Sequence, residues 1–442
     1  MACLTIFEFD SLVVGAGSWV PGEPARVPRR VFDWLDGLSI RSSANGESAW
    51  IRRTLRSGKP ALQVTSYVGV IRAPDGFQIE VLPKLGKAIE GGEAESRKLL
   101  IRMLQSLSGF RHIRADSASL QAERMPLLEI FIAEFLASVE RIVKTGLRSV
   151  YSPVQGNLSC LRGKLMIAPH IRQNLVRADR FFSEHDIYST NRPENRLLHA
   201  ALRRVTAASM AQANQQLARE LSFAFEAIPQ SVDVDGDFRS VNLDRGMGVY
   251  DMGLAWARLI LNEFSPITGS GEHRAPSLLF PMAAVFEAFV AKHLGRQVRR
   301  PMTLSTQPRA HHLVKHLGQD WFRLQPDLLI REGKIARLVL DTKWKLIDGT
   351  KTKAADKYGL SQGDLYQLYA YGRGYLDGRG DIVLIYPRSG GFDDPLPLFE
   401  FPSSKDLRLW VLPFCLASRR LSVPPSAPFA GFLLDDSPAR AA

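Results

Sequence analysis

The sequence is poor in cysteine and has no long apolar run. Cys3, Cys160 and Cys415 are the only three in 442 residues. They stand far apart and form no Cys-x-x-Cys pair, so neither a disulfide framework nor a thiolate zinc site is indicated. No apolar stretch approaches the roughly 20 residues that cross a bilayer. The opening Met1-Ala2-Cys3-Leu4-Thr5-Ile6-Phe7-Glu8-Phe9-Asp10 carries acids where a signal peptide carries positive charge. The expectation is a cytoplasmic protein with no membrane contact, in a reducing compartment. Missing too is a Gly-x-x-x-x-Gly-Lys-Ser/Thr phosphate loop, because Gly163-Lys164 is followed by Leu165 and lacks the earlier glycine. Any nucleotide-driven motor must come from another chain. No internal repeat is visible.

What is present describes an ordinary globular protein. At roughly 150 residues per domain the length allows about three domains. Apolar residues at 45% and charged residues at 23% exclude wholesale disorder. Lysine and arginine number 57 against 45 acids, a formal charge of +12, which favours a polyanionic partner without identifying one.

The pattern along the chain predicts an α+β protein. Residues 1–100 read as a β-rich region: the alternating stretch 62–71, the turn Ala73-Pro74-Asp75-Gly76 and the run 77–82 predict a β-hairpin. Residues 101–265 read as a mainly helical middle region. There Leu127, Ile130, Phe131, Phe135 and Val139 share one helical face, and helices are expected over 196–222 and 251–264. Residues 151–195 read as polar and irregular. The segment Ser265-Pro266-Ile267-Thr268-Gly269-Ser270-Gly271 marks a boundary. Beyond it, 266–400 read as a mixed-sheet domain, with a helix over 280–294, strands to 346, a helix over 365–376 and a strand over 381–386. Residues 401–442 read as a tail rich in Pro, Ser and Ala, ending in disorder.

The sharpest chemical signal lies in Gln325-Pro326-Asp327-Leu328-Leu329-Ile330-Arg331 and, after Glu332-Gly333-Lys334, in Ile335 to Trp344. If the two runs pair as a hairpin centred on Gly333, Asp327 falls opposite Val339. Asp341 and Lys343 then follow on the same face. Two carboxylates and an ammonium converge, a hard oxygen set suited to Mg²⁺ against a phosphate. A two-residue loop would instead turn Asp327 to the other face. Glu287 is a lone carboxylate in an apolar helical segment, costly to bury unpartnered, or else part of a polar face. Gln367 and Tyr371, four apart, share a helical face. Two further polar segments, Arg162-Gly163-Lys164 and Asn191-Arg192-Pro193, read either as contact loops or as fixed turns. Arg26, Arg29 and Arg30 read as a solvated basic cluster, and His311, His312 and His316 bring no ligand pattern that points to zinc.

The order of these elements resembles the PD-(D/E)XK nuclease superfamily, in its RecB-like branch. Three stretches together are similar to the McrC family, the nuclease subunits of McrBC-type modification-dependent restriction systems. They are Tyr67-Val68-Gly69-Val70-Ile71 through Glu80-Val81-Leu82-Pro83-Lys84; Leu161-Arg162-Gly163-Lys164-Leu165 through Asn191-Arg192-Pro193-Glu194-Asn195-Arg196; and the core at 280–386. The resemblance implies that Asp327 and Asp341 ligate Mg²⁺, with the Thr342 carbonyl as a further ligand, and that Lys343 assists the attacking water. Glu287 would be the upstream acid, and Gln367 and Tyr371 the auxiliary helix motif. It also implies cleavage of double-stranded, modified DNA with a McrB-like AAA+ GTPase hexamer. The N-terminal region would dock on that ring and stimulate GTP hydrolysis. Two rivals stand beside this reading: a non-catalytic activator of an NTPase ring, and a stand-alone RecB-like repair nuclease.

Overall fold

A computed structural model of the chain describes residues 3–15, 23–44, 50–88, 92–107, 125–244, 246–261 and 277–433. The boundary segment expected at 265–271 lies outside the described residues. The architecture is mixed α+β, with several sheets and helices. The chain packs as two compact units, one of Met1–Gly69, Asp75–Ala115 and Leu279–Ala442, the other of Val70–Pro74 and Asp116–Leu278.

The first unit is built on a seven-stranded sheet. Its order is Met302–Thr306, Leu328–Glu332, Ile335–Thr342, Gly380–Pro387, Ser404–Cys415 and Phe399–Phe401, with Arg420–Leu421 also on Ser404–Cys415. Three central strands, Ile335–Thr342, Gly380–Pro387 and Ser404–Cys415, run parallel. Parallel strands covered on both faces read as unbroken apolar runs, and Leu338-Val339-Leu340 and Ile382-Val383-Leu384-Ile385 are fully buried. The Gln362–Tyr375 helix packs Leu368, Tyr371 and Tyr375 with Leu329, Val339, Leu409 and Val411. The Met282–Leu294 helix sets Phe286 and Phe289 on Phe414, at 6.3 and 6.1 Å between rings. Phe414 stands an odd number of residues from Val411, so the two helices cover opposite faces.

The segment from residue 402 is not simply a tail. Ser404–Cys415 is a twelve-residue strand inside the main sheet, because Leu407, Leu409, Trp410, Val411 and Leu412 supply buried positions on both faces. Of the residues after 402, 434–442 lie outside the described residues. Near the N-terminus, the run 62–71 is two strands rather than one. Lys59–Val64 joins Ser11–Val14 and Ile51–Arg56, whereas Tyr67–Arg72 lies beside Gln78–Leu82, which pairs in parallel with Cys3–Phe7. The hairpin around Ala73-Pro74-Asp75-Gly76 forms as expected.

In the second unit the expected helical face of Leu127–Thr145 is buried at Leu127, Ile130, Phe131, Phe135 and Val139. Glu129 is buried with them, accepting hydrogen bonds from Ser209 Oγ (2.7 Å), the Met210 amide (2.6 Å) and Asn214 Nδ2 (2.8 Å). Stretch 151–195 is ordered where the sequence reads as irregular. Val150–Leu158 and Phe181–Ser189 pair antiparallel over nine residues, with Lys164–Leu165 on the other edge. Most of their side chains are exposed or half-buried, so no core imposes an alternating apolar pattern to read. Among the described residues no helix is long and apolar enough to cross a membrane.

Candidate active site

The hairpin joining Leu328–Glu332 to Ile335–Thr342 decides whether the carboxylates meet. Glu332 pairs with Ile335, so the loop has only the two residues Gly333 and Lys334. By itself that loop would turn Asp327 away from Asp341. A bulge intervenes: Arg331 pairs with Ala336 but Ile330 with Leu338, leaving Arg337 unpaired and restoring the parity. Leu328 then pairs with Leu340, and the same register carries Asp327 opposite Asp341 rather than Val339. The expected common face is present, with the two acids two residues closer than a hairpin centred on Gly333 would set them.

The strand end is held firmly. Asp327 Oδ2 accepts from the Thr342 amide at 2.7 Å and from Thr342 Oγ1 at 2.6 Å. Lys343 continues the alternation, its amide bonded to the Ile385 carbonyl at 2.9 Å and its Nζ 2.7 Å from Asp341 Oδ2. Asp341 is 2% exposed. Burial first, then the charge of Asp327, push its carboxyl up to about 7 despite Lys343. Burial alone would lower Lys343, but Asp341, Asp364 and Asp327 outweigh it and hold the ammonium above its ordinary value. Lys343 is therefore held as a cation beside the two carboxylates.

A directed chain of hydrogen bonds encloses the carboxylates. Lys343 Nζ donates to Gln367 Oε1 at 3.3 Å, Gln367 Nε2 to Tyr371 Oη at 2.6 Å, and Tyr371 Oη to the Gln325 carbonyl at 2.9 Å. Gln325 Nε2 then donates to Gln307 Oε1 at 3.1 Å, and Gln307 Nε2 to Glu287 Oε1 at 2.8 Å. Glu287 thus has the partner its apolar helix demands. Burial, then Asp327, raise its carboxyl above the ordinary range. The structure brings together Asp327, Asp341, Thr342, Lys343, Gln367 and Tyr371, and ties Glu287 to them through Gln307 and Gln325.

Three participants escape a reading of the sequence. Asp364 stands 4.0 Å from Lys343 Nζ, one helical turn before Gln367, a spacing that could have revealed it. Gln307 and Gln325 carry no such signal. Behind Lys343 a further network anchors the strand end. Trp344 Nε1 donates to Glu8 at 3.1 and 3.0 Å, the Lys84 amide to Glu8 Oε2 at 2.9 Å, and Ser66 Oγ to Oε1 at 3.2 Å. Lys84 Nζ donates to the Trp344 carbonyl at 3.1 Å. Glu8 is 1% exposed, and burial raises its carboxyl against these donors.

Several residues of the other singled-out segments make contacts within the fold. A Cβ on Gly163, at φ 72°, would lie 2.2 Å from the Glu184 carbonyl, so close strand approach requires glycine there. Asn195 Nδ2 donates to the Arg148 and Thr190 carbonyls, Arg192 pairs with Glu194 at 3.1 Å, and Arg196 pairs with Asp237. His311, His312 and His316 lie on an exposed two-stranded ribbon, His311–His316 with Gln319–Leu324. Among the described residues no three His, Cys, Asp or Glu side chains gather closely enough to hold a metal by themselves.

Fold and site together define a mixed α+β protein with an acidic pair, Asp341 buried and Asp327 half-buried, and an ammonium at the end of a parallel strand. The chain belongs to the McrBC 5-methylcytosine restriction system component family, whose model matches residues 62–387. The McrC-family resemblance is borne out at that level. Two solved structures from Thermococcus gammatolerans share the fold. A refined half-complex from a tetradecameric assembly of McrB AAA+ hexamers with bound McrC matches at 20% identity over 94% of this chain and 95% of that one, with a TM-score of 0.69. A McrBC complex matches at 21% identity over 65% of this chain and 86% of that one, with a TM-score of 0.51. No curated protein matches the sequence.

Proposed function

We propose that the chain is the DNA-cleaving subunit of a McrBC-type restriction system, a metal-dependent endonuclease of the PD-(D/E)XK kind that works with a McrB-like AAA+ GTPase and stimulates its GTP hydrolysis. The observation that carries this is the register that sets Asp327 opposite Asp341 with Lys343 2.7 Å from the latter. Family membership and the fold shared with the McrB–McrC assembly support the partner.

The residues suit Mg²⁺. The carboxylates that converge are Asp327 and Asp341, and with Glu287 and Asp364 nearby they outnumber the single ammonium. Burial first, then the charge of Asp327 and to a lesser degree Asp364, raise the Asp341 carboxyl, so a cation there would be favoured. Asp341 Oδ2 is buried without a hydrogen bond although Lys343 Nζ is 2.7 Å away, an oxygen in need of a cation, and Asp327, Asp341 and the Thr342 carbonyl would hold the ion. A site of one or two carboxylates completed by water and phosphate is how Mg²⁺ is commonly bound. When bound it would supply positive charge against the phosphate and make water more acidic.

The chain's own residues do the positioning. Lys343 would orient the water and donate a hydrogen bond to a phosphate oxygen. Gln367 fixes the direction of Lys343, and Tyr371 fixes Gln367 by bonding it while donating to the Gln325 carbonyl. Glu287, held by Gln307, adds a carboxylate at the rim.

The test pairs the purified chain with its GTPase on methylated and unmethylated plasmid in GTP and Mg²⁺. Cleavage of methylated plasmid is expected, abolished by Asp341→Ala with GTPase stimulation retained. Absence of Mg²⁺-dependent cleavage by the wild-type pair would favour a non-catalytic activator.

A further inference from the structure

Beside the carboxylates lies a groove of about 800 Å³ whose near end is formed by Glu287 and Gln307. Its floor is the outer side of the Met282–Leu294 helix, where Ala284 and Ala288 stand four apart and Ala291 is close by. Four-residue steps continue this stripe to Lys292 and, just beyond the helix, Arg296. From 284 to 296 the stripe runs about 18 Å at 1.5 Å per residue, about five nucleotides at roughly 3.4 Å each. The alanine methyls keep the floor low, so a bulky chain can lie close to the helix.

Charge is graded along the groove. The far end carries Lys292, whose Nζ donates to the Gln105 carbonyl at 2.9 Å, and exposed Arg296. Their field is felt at His293 between them, which burial and then Arg419, Lys292 and Arg296 hold down at about 4. The near end is formed by Glu287, whose carboxyl feels the charges of Asp327 and Lys343. A polyanion entering the groove meets cations first, and reaches the carboxylates where a divalent ion would sit.

We propose that this groove holds the sugar–phosphate backbone of one DNA strand as it leads to the Asp327–Asp341 pair. Arg296 pairs with a phosphate, Lys292, bonded to the Gln105 carbonyl, adds positive charge beside it, and Ala284, Ala288 and Ala291 admit the strand. This assignment rests on the phosphodiester-hydrolysis reading and names where its substrate runs.

The test measures binding of labelled duplex DNA to the full chain by fluorescence anisotropy in EDTA, so that cleavage plays no part. Arg296→Glu should weaken binding about tenfold and make the slope of log affinity against log salt shallower by about one or more. Ala288→Leu should weaken it comparably by filling the groove, with the slope unchanged. Arg296 lies at the surface, so its variant reads binding even if Ala288→Leu melts early. Wild-type affinity and slope in Arg296→Glu, or no measurable DNA binding by the wild type, would overturn the groove. Asp341→Ala separates the two readings: in EDTA it should bind at least as tightly as wild type, since an acid near the phosphate is removed, and with Mg²⁺ and partner it should fail to cut. A wild type that binds through the groove but never cuts with Mg²⁺ and partner present would remove the hydrolase reading alone.

Discussion

At the residue scale the site stores a conflict between stability and chemistry. Asp341 is buried beside Asp327, and its carboxyl is pushed up to about 7. An aspartate in the unfolded chain releases its proton near pH 3.9. Between about pH 4 and about 7 the folded, metal-free protein therefore binds more protons than the unfolded chain and loses stability as pH rises. Asp341→Asn removes that loss. In EDTA at about pH 8 the variant is expected to be more stable than wild type by about 1 kcal/mol or more, the gap closing below about pH 4. Thermal melts across pH would show it, and equal melting at every pH would contradict it. Lys343 and its supports form a graded set. Lys343→Met should abolish cleavage, whereas Gln367→Ala should lower kcat with little change in KM, because Gln367 only directs the ammonium.

At the element scale, legibility followed local pattern. The alternation in Ile335–Thr342 placed Asp341 and Lys343 on one face, and the i, i+4 spacing placed Gln367 with Tyr371, as found. The register could not be read, because one unpaired residue, Arg337, reverses what a two-residue loop dictates, and nothing in Ala336-Arg337-Leu338 announces a bulge. Ser404–Cys415 was hidden by the Pro- and Ser-rich composition on either side. The exposed strands Val150–Leu158 and Phe181–Ser189 lacked an apolar face to betray them. The anchor behind Lys343 was beyond reach, since Trp344 and Glu8 are 336 residues apart. That anchor yields a prediction. Trp344→Phe keeps the ring against Phe286 but removes the donor to a buried carboxylate. It should cost about 1–3 kcal/mol in denaturant unfolding, and Trp344→Phe with Glu8→Gln should cost less than the sum of the two. Strict additivity would show that the contact carries no energy.

At the scale of the whole molecule, composition indicated a globular, basic chain without its own nucleotide loop, and motif order resembled the family whose model matches residues 62–387. The pairing of sequence-distant parts was not legible: Met1–Gly69 and Leu279–Ala442 pack in one unit, although most of the stretch from 70 to 278 between them forms the other. Pattern within a segment reports how it folds, but not which remote segment supplies the side chain that completes it. The proposed division of labour is tested at this scale. Asp327→Asn combined with Asp341→Asn should stop cleavage while leaving intact the docking of the chain on its GTPase ring, read by sedimentation of the assembled complex with a GTP analogue. Loss of docking in that double variant would contradict the separation of the two roles.

The claim on which the account turns is that Asp327 and Asp341 share one divalent cation. Titration of the purified chain with Mn²⁺, followed by electron paramagnetic resonance of the free ion, tests it directly. One site is expected in wild type, lost in both Asp327→Asn and Asp341→Asn and retained in Lys343→Met. Equal Mn²⁺ binding by wild type and both aspartate variants would contradict it.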